Sequence, residues 1–191
     1  MTEYELYHSE TESTYTFIEK GNPVSLESDA LKIWETKAKS WEIACLRKHS
    51  FLGWEPYKPM IVDTEDLFAF LPEDKFDLEN LQLLMNLGYP KIEPVLEELF
   101  AWIQDYNWPV AKKLAPFLSD LGGVCQPYIQ KIFHSGDSMW IYWTLTTVIL
   151  SMKDDERKIY EKDLIQLKAT LSDQDRIDGL EEAIDEILQK D

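Results

Sequence analysis

Three kinds of side chain in this sequence could do chemistry: three histidines, two cysteines and a dense set of carboxylates. His8, His49 and His134 fall in different predicted elements, and none has an Asp, Glu or His partner at i+3 or i+4 that would face a metal with it. A metal site or a general base needs such a partner. Each histidine therefore reads as a surface or helix-end residue. Cys45 and Cys125 lie far apart and outside any Cys-x-x-Cys pair, which excludes a thiolate zinc site and a disulfide framework and fits a reducing compartment. They read as small buried hydrophobes. Asp173-Gln174-Asp175-Arg176-Ile177-Asp178-Gly179 touches the calcium-loop pattern, but Ile177, Asp178 and Ile184 occupy positions that demand a ligand, a glycine and a glutamate. No Gly-rich phosphate loop, Gly-x-Ser-x-Gly elbow or His-Glu-x-x-His string occurs. The expectation is no catalytic residue, no metal and no cofactor.

The carboxylates are the remaining candidates. Asp63, Glu65, Asp66, Glu73, Asp74, Asp77 and Glu79 form the densest run, and Glu93, Glu97 and Glu98 extend it. Acids this close together suit a solvated face and helix N-termini, where the macrodipole favours negative charge. They would equally serve as an electrostatic landing surface for a basic protein, which sets the sign of the partner while a few aromatic anchors supply affinity. Trp54, Tyr57, Tyr106 and Trp108, near predicted loops or helix ends, are the candidate anchors; Trp140 and Trp143 are assigned to the core.

The 191 residues carry 36 acidic against 19 basic side chains, a formal net charge of -17, with 45% hydrophobic and 13% aromatic residues. That composition excludes wholesale disorder and disfavours duplex nucleic acid or an anionic membrane as partner. Net charge is -3 over 1–60, -9 over 61–106, +1 over 107–150 and -6 over 151–191. The near-neutral aromatic block predicts the core. The first residues hold two acids and no basic n-region or apolar run of a secretory signal, so the chain is expected to start near Met1 and to be cytoplasmic. Met139 to Met152 falls short of the ~18 to 20 apolar residues that span a bilayer and predicts a buried helix.

Those chemistry-bearing residues must be held by elements of two kinds. In 1–60, Tyr15-Thr16-Phe17-Ile18 before Lys20-Gly21-Asn22-Pro23 predicts a strand, Leu31 to Ala38 a second, and Ser40 the cap of a helix that Gly53 ends. A rival reading is one helix from Leu26 to Leu52. The prolines around Tyr57 mark a boundary. In 61–191 nearly every signal is helical. Asp77 caps Leu78–Leu87, Pro94 opens Val95 to Asp105, and Asn107 caps the helix that Gly122-Gly123 ends. Pro116 predicts a kink there, and Asp137 or Ser138 caps the apolar helix. Two amphipathic helices, through Ile159 to Leu171 and Ile177 to Leu188, follow. Setting Asp105 over Asp137 aligns Trp108 with Trp140, a 32-residue echo suggesting stacked hairpins. The fold class is α+β, mostly α: a small strand and helix unit on antiparallel helical hairpins.

Leu71-Pro72-Glu73-Asp74-Lys75-Phe76-Asp77, Leu87-Gly88-Tyr89-Pro90, the string Trp102 to Ala111, and Asp137 with Trp140 and Tyr142-Trp143 resemble an uncharacterised bacterial domain-of-unknown-function family with HEAT-like helical repeats, over about residues 67–152. The resemblance implies a helical-repeat fold and a bacterial cytoplasmic setting, and lends no catalytic residue. The expected function is a non-enzymatic interaction module with an acidic face for a basic protein, one version being an immunity-type protein. Two alternatives stand beside it: a carboxylate-based enzyme, with or without a divalent ion, whose site lies between the N-terminal unit and the helices and uses carboxylates such as Asp105 with Asn107, and a self-associating scaffold.

Overall fold

Apolar and polar residues alternate over Thr2–Ser9, which puts Tyr4 and Leu6 on one face of a strand and Glu3, Glu5 and Tyr7 on the other. In the computed structural model, which describes residues 1–189, this strand (β1) lies at the centre of an antiparallel sheet ordered β2-β1-β3. Its neighbours are β2 (Thr14–Glu19) and β3 (Leu31–Ala38). The two flanking strands match expectation, whereas β1 has no counterpart in the sequence reading. Helix α1 (Trp41–Leu52) follows, with Ser40 accepting the Ile43 N–H as N-cap and Gly53 stopping it at φ 65°. The rival helix over Leu26 to Leu52 does not form. Ile33 and Thr36 are β-branched, and β1 offers a ladder that a helix there would forfeit.

Register puts Tyr4, Leu6, Phe17 and Trp34 on one sheet face. Trp41 of α1 meets Tyr4 and Phe17 at 5.7 and 5.1 Å, and Phe51 stacks on Trp34 at 5.2 Å. The opposite face is an ionic ladder: Glu3 bridges Lys20 and Lys37 at 2.7 and 2.6 Å, and Lys32 meets Glu35 and Glu5 at 2.7 and 3.3 Å. Asp29 accepts from the Ser9 and Thr11 hydroxyls and the Thr11 N–H, tying the β2–β3 loop to the β1–β2 hairpin. These residues belong to the first of two units, Met1–Ile61; the second begins at Val62.

The second unit is helical: α2 (Thr64–Phe68), α3 (Leu78–Leu87), α4 (Leu96–Ala101), α5 (Pro109–Leu121), α6 (Gln126–Phe133), α7 (Ser138–Trp143), α8 (Asp154–Arg157), α9 (Glu161–Thr170), α10 (Asp173–Ile177) and α11 (Leu180–Gln189). Three-ten turns at Glu93–Val95 and Trp102–Gln104 flank α4. Asp77 and Asp137 cap α3 and α7 as expected. Three expectations differ. Asn107 is not a cap: it donates its amide to Asp105 in a turn, and Trp108 is the N-cap, with Pro109 at the first helical position where its missing N–H costs nothing. The last helix is broken at Gly179, φ 88°, so α10 stands apart from α11, and Ser172 with Asp175 builds a capping box for α10. Helices α5 and α7 begin at Pro109 and Ser138, so the 32-residue echo does not superpose their starts, and Trp108 and Trp140 hold different helix positions.

Val110, Ala111, Leu114, Ala115 and Leu118 of α5 are all buried, and α5 packs on α3 and on a π-helical turn, Thr144–Ile149, that continues α7. Pro116 is exposed, as is Lys112 four residues back, so the carbonyl it deprives of a donor can meet water. Between α5 and α6 the chain turns through Gly122 at φ 61° and ψ -130°. The buried Tyr160 hydroxyl donates to the Gly122 carbonyl at 2.9 Å, and Glu156 accepts the Gly123 N–H at 2.6 Å.

Two outcomes are expected. Gly122→Ala forces an alanine into a conformation L residues avoid and presses its methyl on the Glu156 carboxyl, so urea unfolding should show a loss of about 1–3 kcal/mol. Gly123→Ala should cost less, since its nearest obstacle is the movable end of Ile159; equal losses would refute this account. In the first unit, Lys20 and Lys37 hold Glu3 down to about 2 from 4.5. A lowered carboxylate stabilises above its unfolded value, and the effect fades as pH falls from about 4.5 towards 2. The urea midpoint should therefore drop over that window, and Glu3→Gln should flatten the drop.

Candidate interaction surface

The acidic run is built largely from helix starts and turns. Asp63 caps α2, and its box partner Asp66 accepts the Val62 N–H at 2.7 Å. Asp74 accepts the Phe76 N–H at 2.7 Å, and Asp77 accepts from the Asn80 backbone, the Asn80 amide and the Glu73 N–H. Glu65, Glu73, Glu93 and Glu98 are exposed, and Glu97 pairs with Lys131 at 2.6 Å. Backbone donors thus account for four of the aspartates. Among these carboxylates stand exposed apolar side chains that the sequence reading missed: Val62 at 82%, Phe76 at 67%, and Phe68. Lys75 sits 5.4 Å over the Phe76 ring. The signal was an aromatic inside turn chemistry, Asp74-Lys75-Phe76-Asp77, where no amphipathic face is available to bury it.

The four proposed anchors fall in two units. Trp54 is 43% exposed, meets Tyr15 and His49 edge-on at 5.4 and 5.2 Å, and has Lys48 5.6 Å from its ring. Tyr57 is half-buried, 5.2 Å from His49, and burial pushes its hydroxyl up to about 12. Tyr106 and Trp108 belong to the helical unit and are half-buried, Tyr106 against Trp143 at 5.7 Å and Trp108 edge-on to Trp102 at 5.6 Å. Trp140 and Trp143 are half-buried rather than core, and Trp140 donates its indole N–H to the Phe100 carbonyl at 3.1 Å. His49 and His134 lie at helix ends, each with Nδ1 on a backbone carbonyl, and His8 stacks on Tyr15 at 4.5 Å. Cys45 and Cys125 are buried free thiols, and burial lifts Cys125 to about 12. Among the described residues no group of three or more His, Cys, Asp or Glu is placed to hold a metal ion, and no helix is long and apolar enough to cross a membrane.

Comparison with protein families adds one decisive match: the model of a domain of unknown function, DUF5071, covers residues 70–188. The chain belongs to the DUF5071 family. No curated protein matches it. The DUF5071 region takes in α3 through α10 and nearly all of α11, together with Glu73, Asp74, Tyr106 and Trp108. It excludes the sheet unit with Trp54 and Tyr57, and it begins after Asp63, Glu65 and Asp66. The string Trp102 to Ala111, on which the family resemblance rested, lies inside it.

Trp102 and Trp108 bracket the turn in which Asp105 binds Asn107, and their edge-on contact is expected to hold that turn. A double-mutant cycle with Trp102→Ala and Trp108→Ala should return a coupling of about 0.5–1.5 kcal/mol in unfolding free energy, the range for aromatic pairs beyond their area burial. Additivity would show that the pair does not support the turn.

Proposed function

We propose that this chain is a cytoplasmic, non-enzymatic protein-interaction module whose acidic stretch in the helical unit receives a basic protein. The observation that carries the reading is the exposure of Phe76 and Phe68 among Asp63, Glu65, Asp66, Glu73 and Asp74. Apolar side chains left in water beside carboxylates match a partner whose lysines or arginines flank an apolar contact. The -9 net charge over 61–106 supplies steering, and the phenylalanines supply contact area. Two unpaired thiols agree with a reducing compartment. Asp105, the acid of the enzymatic alternative, spends Oδ1 on the Asn107 backbone and side-chain amides at 2.9 and 3.0 Å, which favours a turn role over catalysis. An immunity-type protein that neutralises a basic toxin is the concrete version of this reading.

Capture with the purified chain as bait should recover a basic protein whose association rate falls at least tenfold between low and high salt. A Glu73→Lys/Asp74→Lys variant should lower the rate at low salt, and Phe76→Ala should raise the dissociation rate. An acidic partner, or association indifferent to salt, would overturn the proposal.

A further inference from the structure

Helices α6 and α9 flank an open cavity of about 250 Å³ within the helical unit. We propose that it takes one lysine or arginine side chain of the basic partner, which deepens the reading above and rests on it. The Asp163 carboxylate lines the cavity and is fixed by neutral amides, Gln126 at 2.9 Å and Gln130 at 3.1 Å to both oxygens. Those donors orient it and leave its charge uncompensated. Among the described residues no cation pairs with Asp163: Lys131 of α6 binds Glu97, and Lys168 of α9 binds Asp185 and Glu181. His134 also lines the cavity, with Nδ1 2.6 Å from the Gln130 carbonyl. A carbonyl only accepts, so Nδ1 is the donor of that bond.

Phe133 and Leu167 add apolar wall, and Thr170 spends its hydroxyl on the Leu167 carbonyl at 2.9 Å. An anionic carboxylate and an apolar wall complement a guest with an aliphatic stem and a head that only donates. Lysine and arginine side chains are such guests. The volume lies below the ~300–1,000 Å³ of small-molecule and cofactor sites, which favours a single side chain.

The test is an NMR titration of the full chain with the acetyl-methylamides of lysine, arginine and norleucine, the last being a neutral match for the stem. Lysine and arginine should shift the amides of Phe133, Gln166 and Thr170, and norleucine should not. Asp163→Asn should weaken binding at least tenfold. Gln166→Lys, at an exposed position where folding is undisturbed, should do the same by placing a resident cation at the cavity. Equal shifts with norleucine, or unchanged affinity in Gln166→Lys, would overturn the proposal. A captured basic partner that binds Asp163→Asn as tightly as the parent chain would overturn the pocket and leave the wider reading standing. Saturation by the lysine probe with an acidic captured partner would support the pocket as a cation site and overturn the wider reading alone.

Discussion

An excess of carboxylates is tolerable to a folded chain only where each meets water, a cation or a backbone N–H, and helix starts supply the last of these in quantity. Each start exposes orphan donors and the positive end of the macrodipole. The helical unit uses both. Asp63, Asp77 and Asp137 cap α2, α3 and α7, Ser172 with Asp175 boxes α10, and Glu156 takes the N–H of Gly123 at the turn before α6. At about 1 kcal/mol for each such cap, these contacts fix where helices begin, and so fix which apolar stripe faces α5.

Cap chemistry is also what made the helical unit legible. Asp77 with Gly88, and Asp137 before the apolar helix, are local signals whose partners lie three residues away. The α+β, mostly α class followed from the same signals. What escaped was set by distant partners or by fine backbone geometry. Strand β1 has the right alternation at Tyr4 and Leu6, but its charged Glu3 and Glu5 are acceptable in a central strand only because Lys20, Lys32 and Lys37 arrive from its neighbours. Asn107 has a good capping side chain, yet Asp105 claims its amide and Pro109 moves the helix start one residue on. Gly179 breaks a continuous apolar pattern because a φ of 88° outweighs periodicity. At the interaction surface, the run from Asp63 to Asp77 could be read as acidic from sequence and the turn around Phe76 offered a local sign of its exposure, whereas the cavity at Asp163 depends on packing that no local pattern encodes.

The two units handle charge by opposite means. On the open sheet face three lysines meet three glutamates, so the ladder is close to neutral and its contribution depends on pairing. Such exposed pairs are individually weak and matter as a network. In the helical unit Asp63, Asp66, Asp74 and Asp77 of the acidic run accept backbone N–H groups instead, neutral donors that do not cancel a negative field.

That field and the cavity would act at different stages of one encounter. At physiological salt the field of exposed carboxylates decays over roughly 8 Å, so it selects the sign of an approaching surface and its rate but not its identity. On the proposed reading, the carboxylate that two glutamine amides hold at the 250 Å³ cavity would accept one side chain at a time. Selectivity for one basic protein over another therefore cannot come from the net charge, which any cationic surface satisfies. On the proposed reading it would come from the spacing between a cation that fits beside Asp163 and an apolar patch that reaches Phe76.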